Sequence, residues 1–313
     1  MSFTRWIILS LLVLFAVTCR RDIPVPEFQS RKLVFIVVDG PRWEETWGDS
    51  THQYQPYLRD SLGRQGCIFT NFYNNGITFT VPGHAALLTG HYQDMLNNGQ
   101  ELPDYPGLPQ LFMKKYALNQ DAVWLVASKD KLEVFKNCED PEWSGKYTPS
   151  SDCGINGNGT GYRHDSITFA NAKNILQSRH PDLMFIQFRD PDFSGHAADL
   201  AGYKQGIVRG DKYCWELWKL LQADKYYSGQ TTFIITNDHG RHPDGTLDGF
   251  VSHGDGCPGC RHINLFMAGP DIKENKIVTA SYEQIDIHKT LCSLFGLDDR
   301  FSEGKVISDA LGK

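Results

Sequence analysis

Carboxylates and imidazoles recur in this sequence directly after short apolar runs. Asp39 closes "KLVFIVVD", and Asp192 and His196 stand four apart in "DPDFSGH". Asp238 and His239 follow "TTFIITN", and His253 lies in the glycine-rich "VSHGDG". An Asp and a His one helical turn apart suit a divalent ion. Adjacent residues at a strand end can reach one ion once the strand alternation breaks down. Each fragment alone reads equally as a helix cap, a turn or a surface loop. Together they supply three aspartates and three histidines, about what two zinc ions need at roughly three protein ligands each. Two ions about 3.5–4 Å apart can clamp the attacking and leaving oxygens of a phosphoryl transfer.

Such a centre needs a nucleophile, and "ITFTVPGHAALLTG" (Ile77 to Gly90) offers Thr80. Thr is a good helix N-cap, and Pro82 fits only the first helical turn. A hydroxyl there would face unpaired N–H groups and the positive end of the helix dipole, which favour an alkoxide and a phosphoryl oxygen. Taken alone, most such threonines only cap. Beside a metal pair, Thr80 is expected to carry chemistry, with Thr78 as backbone support and His84 in a packing or supporting role.

The elements that position these residues follow from the apolar pattern. Strands are expected over Lys32–Asp39, Cys67–Tyr73, Ala122–Ser128, Leu183–Phe188, Thr231–Asn237 and Ile263–Gly269. Helical periodicity lies between them, over Gln55–Arg64, Val81–Gly90, Leu108–Tyr116, His164–Ser178, Tyr203–Leu221 and Tyr282–Leu294. Strands apolar on both faces, alternating with helices, predict a three-layer α/β/α fold around a mostly parallel sheet. Ligands of such sheets bind beyond the carboxyl ends of the strands, where all these polar residues fall. The turn-rich segment from Asn137 to Tyr162 reads as an insertion over one end of the sheet.

The chain has 313 residues and a formal net charge of −6, with no long block of one sign. That argues against a nucleic-acid binder and leaves a small anionic substrate open. "MSFTRWIILSLLVLFAVTCRRD" has the plan of an export signal. "AVTC" resembles a bacterial lipoprotein cleavage box, which would put a lipid on Cys19 and anchor the protein in the cell envelope; plain secretion stays open. The expected organisation is a signal over 1–18, a tether over 19–31 and one catalytic domain over 32–313. Cys138 and Cys153 flank the loop-like segment and make a candidate disulfide. For Cys257 and Cys260 of "CPGC", a local disulfide and two plain thiols both stay open; a structural zinc would want a second such pair.

In order along the mature chain, these motifs resemble the alkaline phosphatase superfamily, especially its nucleotide pyrophosphatase/phosphodiesterase branch and the threonine-nucleophile alkaline phosphatases. "VFIVVDGPRWEE" is similar to the first metal strand, "TFTVPGHAALLTG" to the nucleophile motif and "LNNG" to a segment with a phosphate-binding Asn, Asn98 here. "DPDFSGH", "NDHG" and the late "HGDG" are similar to the metal motifs. The resemblance implies Asp192, His196 and His253 on one zinc, and Asp39, Asp238 and His239 on the other with Thr80 as a further ligand. It also implies a phosphothreonine intermediate, with Asn98 and the N–H after Thr80 on the non-bridging oxygens. His242 and His262 are competing ligand candidates. The sulfatase branch needs a C/S-x-P-x-R motif, which Thr-Val-Pro-Gly-His does not provide. "ASKDKLEVF" resembles an element whose cations bind a monoester dianion, with Lys129 in the first role and Lys131 replacing an Arg. Monoester and diester substrates both stay open, and Trp43, Tyr73 and Phe79 could stack a nucleobase. The alternative is a catalytically silent surface binding protein of the same fold.

Overall fold

In the computed structural model, which describes residues 28–312, every apolar run expected as a strand forms one. They are β1 (Lys32–Val38), β2 (Gly66–Tyr73), β3 (Val123–Ala127), β5 (Leu183–Phe188), β6 (Thr231–Thr236) and β7 (His262–Ala268). Three shorter strands join them: β4 (Ser150–Cys153), β8 (Lys276–Val278) and β9 (Tyr282–Glu283). The sheet order is β4-β3-β5-β1-β6-β7-β2-β8, with β9 also paired to β2. All pairings are parallel except the two made by β7, which runs against β6 and β2. The mostly parallel α/β expectation therefore holds.

Both faces are covered, and the period-2 alternation of β1 shows how. Leu33, Phe35 and Val37 enter one core layer with Val81, Ala85 and Leu88 of α1 (Thr80–Thr89), Leu111 of α2 (Leu108–Tyr116) and Leu291 of α7 (Gln284–Phe295). Val34, Ile36 and Val38 enter the other layer with Leu176 of α3 (Asp165–Arg179) and Leu217 and Leu221 of α5 (Leu200–Ala223). Two short helices, α4 (Asp192–His196) and α6 (Pro258–Arg261), sit in the connections at the carboxyl end of the sheet. A sheet buried on both faces needs apolar residues at every strand position, which explains the unbroken apolar runs.

Several local expectations change. The helix expected from Gln55 is a wide turn over Tyr57–Ser61 followed by a tight one over Leu62–Gln65. The Asp211 carboxylate takes the N–H groups of Tyr57 and Leu58 at 2.9 and 2.7 Å, replacing helix bonds there. Tyr282 is strand, because Glu283 caps α7 in a reciprocal pair with Asp286. The segment 137–162 is not merely draped over the sheet: it adds edge strand β4 and buries Trp143 completely. Cys138 and Cys153 do not pair; the seven cysteines among the described residues are free. Burial pushes the thiols of Cys138 and Cys153 up, to about 11 and about 12, which disfavours their reactive thiolates. The segment expected as an export signal and Cys19 lie outside the described residues, among which no helix is long and apolar enough to cross a membrane.

Helix α1 is buried along its whole length. Gly83 lets it approach the end of β6: a Cβ there would stand 2.8 Å from the Asp238 carbonyl oxygen and 3.1 Å from its Cβ. Gly83→Ala is expected to lower the unfolding midpoint by an amount equivalent to about 1–3 kcal/mol, as other overpacked sites do. A denaturant titration with an unchanged midpoint would contradict this contact.

Candidate active site

Parallel strands stop side by side, so the residues after them share one end of the sheet. Asp39 follows β1, Lys129 follows β3, Asp192 opens α4 after β5, and Asp238 and His239 follow β6. The connection from β6 to β7 returns His253 to the same place, and α1 brings Thr80. Asp39, Asp192, Asp238, His239, Lys129 and Thr80 are buried, and only His196 is substantially exposed.

Two groups of ligand atoms form. In the first, His253 Nε2 lies 3.2 Å from Asp192 Oδ1 and 3.1 Å from His196 Nε2, while His196 Nε2 is 3.4 Å from Asp192 Oδ1. In the second, His239 Nε2 lies 3.6 Å from Asp39 Oδ1 and 3.4 Å from Asp238 Oδ2. The rings of His239 and His253 stack at 3.7 Å and join the groups. His253 Nδ1 donates to the Thr78 carbonyl at 2.7 Å, and His239 Nδ1 donates to the Gly240 carbonyl at 2.9 Å. With Nδ1 donating, the His239 ring turns a bare Nε2 lone pair toward the Asp39 and Asp238 carboxylates.

Lone pairs facing lone pairs in a buried space repel unless a cation lies between them. Asp39 Oδ1, Asp238 Oδ2 and His239 Nε2 are all buried without a hydrogen-bond partner. Such orphaned acceptors fit a metal centre, and the donor set suits divalent ions. Electrostatics agree. Burial, opposed by Lys129 and reinforced by Asp192, pushes Asp39 up to about 6. Burial and then Asp39 push Asp238 up as well. Burial works against the charge of Asp192 too, yet Lys129, His253 and Arg241 hold its carboxyl well below the usual range. Burial keeps His239 neutral, with His253 adding to the effect, and burial lowers His196 to about 4.

Thr80 is the first residue of α1, not its cap. Phe79 precedes the helix in an extended conformation, and no side chain caps it. The Thr80 hydroxyl is thus not spent on the helix. It accepts from Lys129 Nζ at 3.1 Å. The same ammonium reaches Asp192 Oδ2 at 2.6 Å and Asp39 Oδ2 at 2.9 Å. All of its N–H donors are therefore engaged, so Lys129 holds the Thr80 hydroxyl and the two carboxylates instead of standing free. Beside it, Lys131 is buried and bonds Asn97 Oδ1 at 2.9 Å.

The amide expected to meet phosphate, Asn98, does not line the pocket beside Thr80. Asn98 is exposed, and its Oδ1 takes the Gln100 N–H at 3.0 Å. Asn97 instead lines the pocket with Thr80, and its Oδ1 takes the Val81 N–H at 2.9 Å. The N–H after Thr80, expected to meet a substrate oxygen, is therefore already bonded. In a turn, successive side chains face different ways, so a one-residue error reverses inward and outward. His84 donates from Nδ1 to the Thr80 carbonyl at 2.7 Å and supports that turn of α1. His242 faces Asp248 and Asp255, and His262 bonds the Thr70 carbonyl, so neither joins the centre. Trp43 and Tyr73 stack on His262, which leaves Phe79 as the aromatic beside His253.

Sequence reasoning missed four supporting residues. Arg241, fully buried, pairs with Asp192 and bonds the carbonyls of Phe250 and Val251. Gln187 Nε2 donates to Asp39 Oδ2 at 2.7 Å. Asn74 and Gln284 donate to the Asp238 carbonyl at 2.9 and 2.6 Å. A signal existed for two of them: Gln187 is the one polar residue of "LMFIQF", and Arg241 stands inside "NDHGRH". A pocket of about 580 Å³ opens onto Thr80, with Tyr162 and Phe193 on its wall.

The sulfatase family model matches residues 31–297. GPI ethanolamine phosphate transferase 1 of Candida glabrata is 26% identical over 254 residues, 73% of this chain and 26% of that protein. The Homo sapiens protein of that name is 25% identical over 275 residues, 82% of this chain and 28% of that protein. The chain thus spans little more than a quarter of the length of these curated relatives. Murine ectonucleotide pyrophosphatase/phosphodiesterase 5 shares the fold with TM-score 0.64 at 16% identity, covering 90% of this chain and 100% of that one. Phosphonate monoester hydrolase from Silicibacter pomeroyi does so with TM-score 0.59 at 15% identity, covering 90% and 76%.

Asn97→Ala is expected to lower kcat/KM for a phosphoester by about 10²-fold, as loss of one oxyanion donor does, whereas Asn98→Ala leaves it within about twofold. Steady-state assays of the two variants decide between the neighbours.

Proposed function

The chain belongs to the sulfatase family, within the alkaline phosphatase superfamily of phosphoester and sulfate-ester hydrolases and transferases, and we propose that it is an exported, metal-dependent phosphodiester hydrolase with Thr80 as nucleophile. The observation that carries this reading is the Thr80 hydroxyl, free of capping duty and held 3.1 Å from Lys129 at the edge of both ligand groups. Thr-Val-Pro-Gly-His at this position lacks the C/S-x-P-x-R motif that formylglycine requires, so a phosphoester is favoured over a sulfate ester.

Two zinc ions would be held by Asp192, His196 and His253 and by Asp39, Asp238, His239 and Thr80, supplying Lewis acidity that lowers the hydroxyl pKa and offsets charge on the leaving oxygen. Lys129 donates to Thr80 Oγ1 and favours its alkoxide. Thr80 Oγ1 attacks phosphorus in line; the Oγ1–P bond forms as the bond to the leaving alkoxide breaks. The amide of Asn97, fixed through its Oδ1, leaves Nδ2 to donate to a non-bridging oxygen. Water then cleaves the phosphothreonine at phosphorus and regenerates Thr80.

A diester is favoured because its monoanion needs less positive charge than a monoester dianion. Lys129 is already spent on Asp39, Asp192 and Thr80, which leaves Lys131 as the second cation. Phe193 and Tyr162 on the pocket wall suit a second substituent. Phosphoryl relatives of this kind include the ethanolamine phosphate transferases and the nucleotide phosphodiesterase fold. Export with a lipid on Cys19 is proposed from the N-terminal sequence. The orphaned Asp39, Asp238 and His239 atoms speak against a silent binding protein, which has no use for them.

Bis-p-nitrophenyl phosphate is expected to be turned over faster than p-nitrophenyl phosphate. Chelation should abolish both activities, and Thr80→Ala should lower them by at least about 10³-fold. Activity that survives chelation and Thr80→Ala alike contradicts the mechanism.

A pH dependence also follows. Burial, and then the charge of Lys129, pull Lys131 down to about 8. It is cationic below that pH and neutral above it, so kcat/KM is expected to fall as pH rises through about 8. Lys131→Arg keeps its charge and should carry the activity to higher pH; an unchanged profile would remove Lys131 from substrate binding.

A further inference from the structure

The connection from β6 to β7 runs over residues 237–261 and holds almost no regular structure beyond α6 and one tight turn at Gly249–Val251. It contains Gly240, Gly245, Gly249, Gly254, Gly256 and Gly259, so its unfolded state is conformationally rich. Yet it must deliver His253 to a fixed position beside Asp192. At its two ends, ligand atoms of His242, Asp255, Cys257 and Cys260 all lie within 4.8 Å of one another. None of these atoms belongs to the Thr80 centre.

We propose that His242, Asp255, Cys257 and Cys260 form a third metal site, a structural zinc that ties down the strap carrying His253. The histidine again shows its readiness. His242 Nδ1 donates to Asp248 Oδ1 at 2.7 Å, and Asp248 is itself held by Ser252 Oγ at 2.6 Å. A carboxylate on the far ring nitrogen is the usual support of a metal-bound imidazole. His242 Nε2 is thereby left bare and buried without a hydrogen-bond partner, and it points at Asp255 Oδ1 from 3.3 Å. That is the orphaned-acceptor signature of the Asp39–Asp238–His239 group. Two sulfurs, one imidazole and one carboxylate make a closed four-ligand set suited to zinc. The Cys257 Sγ also accepts the Cys260 N–H at 3.4 Å, the turn that aims both sulfurs to one side. The second pair of ligands that "CPGC" lacks in sequence comes from a His and an Asp brought beside it by the fold. Joining His242 to Cys260 closes the strap into a loop and removes much of its unfolded-state freedom. The proposal does not rest on the hydrolase reading.

The test uses the full chain purified with thiols reduced. Among the candidate metal groups of the described residues only this one offers sulfur, so the cobalt-substituted wild-type protein should show an intense thiolate-to-cobalt charge-transfer band in the near ultraviolet. A mercurial reagent should release about one zinc per chain as Cys257 and Cys260 react. Cys257→Ser with Cys260→Ser should remove the band and lower the zinc content by about one equivalent. The first two measurements need no variant, so misfolding of the double variant leaves the proposal testable. Absence of the thiolate–cobalt band, or a Cys257–Cys260 disulfide in the purified protein, would overturn it.

Discussion

Three carboxylates, Asp39, Asp192 and Asp238, are buried together at the ends of β1, β5 and β6, and most of the site follows from the need to hold their charge. Burying one ionised carboxylate without a partner is costly; burying three within reach of one another is worse. Lys129 sits between two of them, and Arg241 clamps the outer oxygen of Asp192. Gln187 steadies Asp39. The cations offset part of the charge, and the remaining orphaned oxygens set the demand for divalent ions. Lys129 is thus a structural counter-ion to Asp39 and Asp192, with its remaining donor on Thr80.

Thr80, the proposed nucleophile, is held by a different kind of constraint. Helix α1 is buried on all sides, with Gly83 allowing contact against Asp238 and His84 locking the Thr80 carbonyl. Because Asn97 takes the Val81 N–H, the threonine hydroxyl has no helix duty and can face Lys129. The helix begins one residue earlier than a capping threonine would place it, which leaves the Thr80 hydroxyl free of capping duty. The same packing leaves the mouth of the site to Phe79, Phe193 and Tyr162.

Membership of the sulfatase family fixes the chemistry only to ester transfer at phosphorus or sulfur. Local detail bears on the choice: a threonine in place of a formylglycine precursor, and two lysines beside the pocket of which Lys129 is bound by carboxylates and Lys131 only by the neutral Asn97. The glycine-rich strap from β6 to β7 then has two tasks, to present His253 and to be rigid enough to do so. The His242–Cys260 cluster supplies a means for the second.

The strands, the helices and the ligand types were legible in the amino-acid sequence, because apolar period and side-chain chemistry are local properties. Asp39, Asp192, Asp238 and His239 could be read as candidates from their place just after strands, since a parallel sheet gathers its strand ends, whereas His253, in a glycine-rich loop, was singled out by its motif. Three things were not legible. Choosing Asn97 over Asn98 depended on which way one turn faces. Spending Lys129 on two carboxylates depended on strands far apart in sequence meeting side by side. The coordination partners of "CPGC" depended on a loop folding back on itself. Each is a distance between residues that no local pattern encodes, so only the packed tertiary structure could decide it.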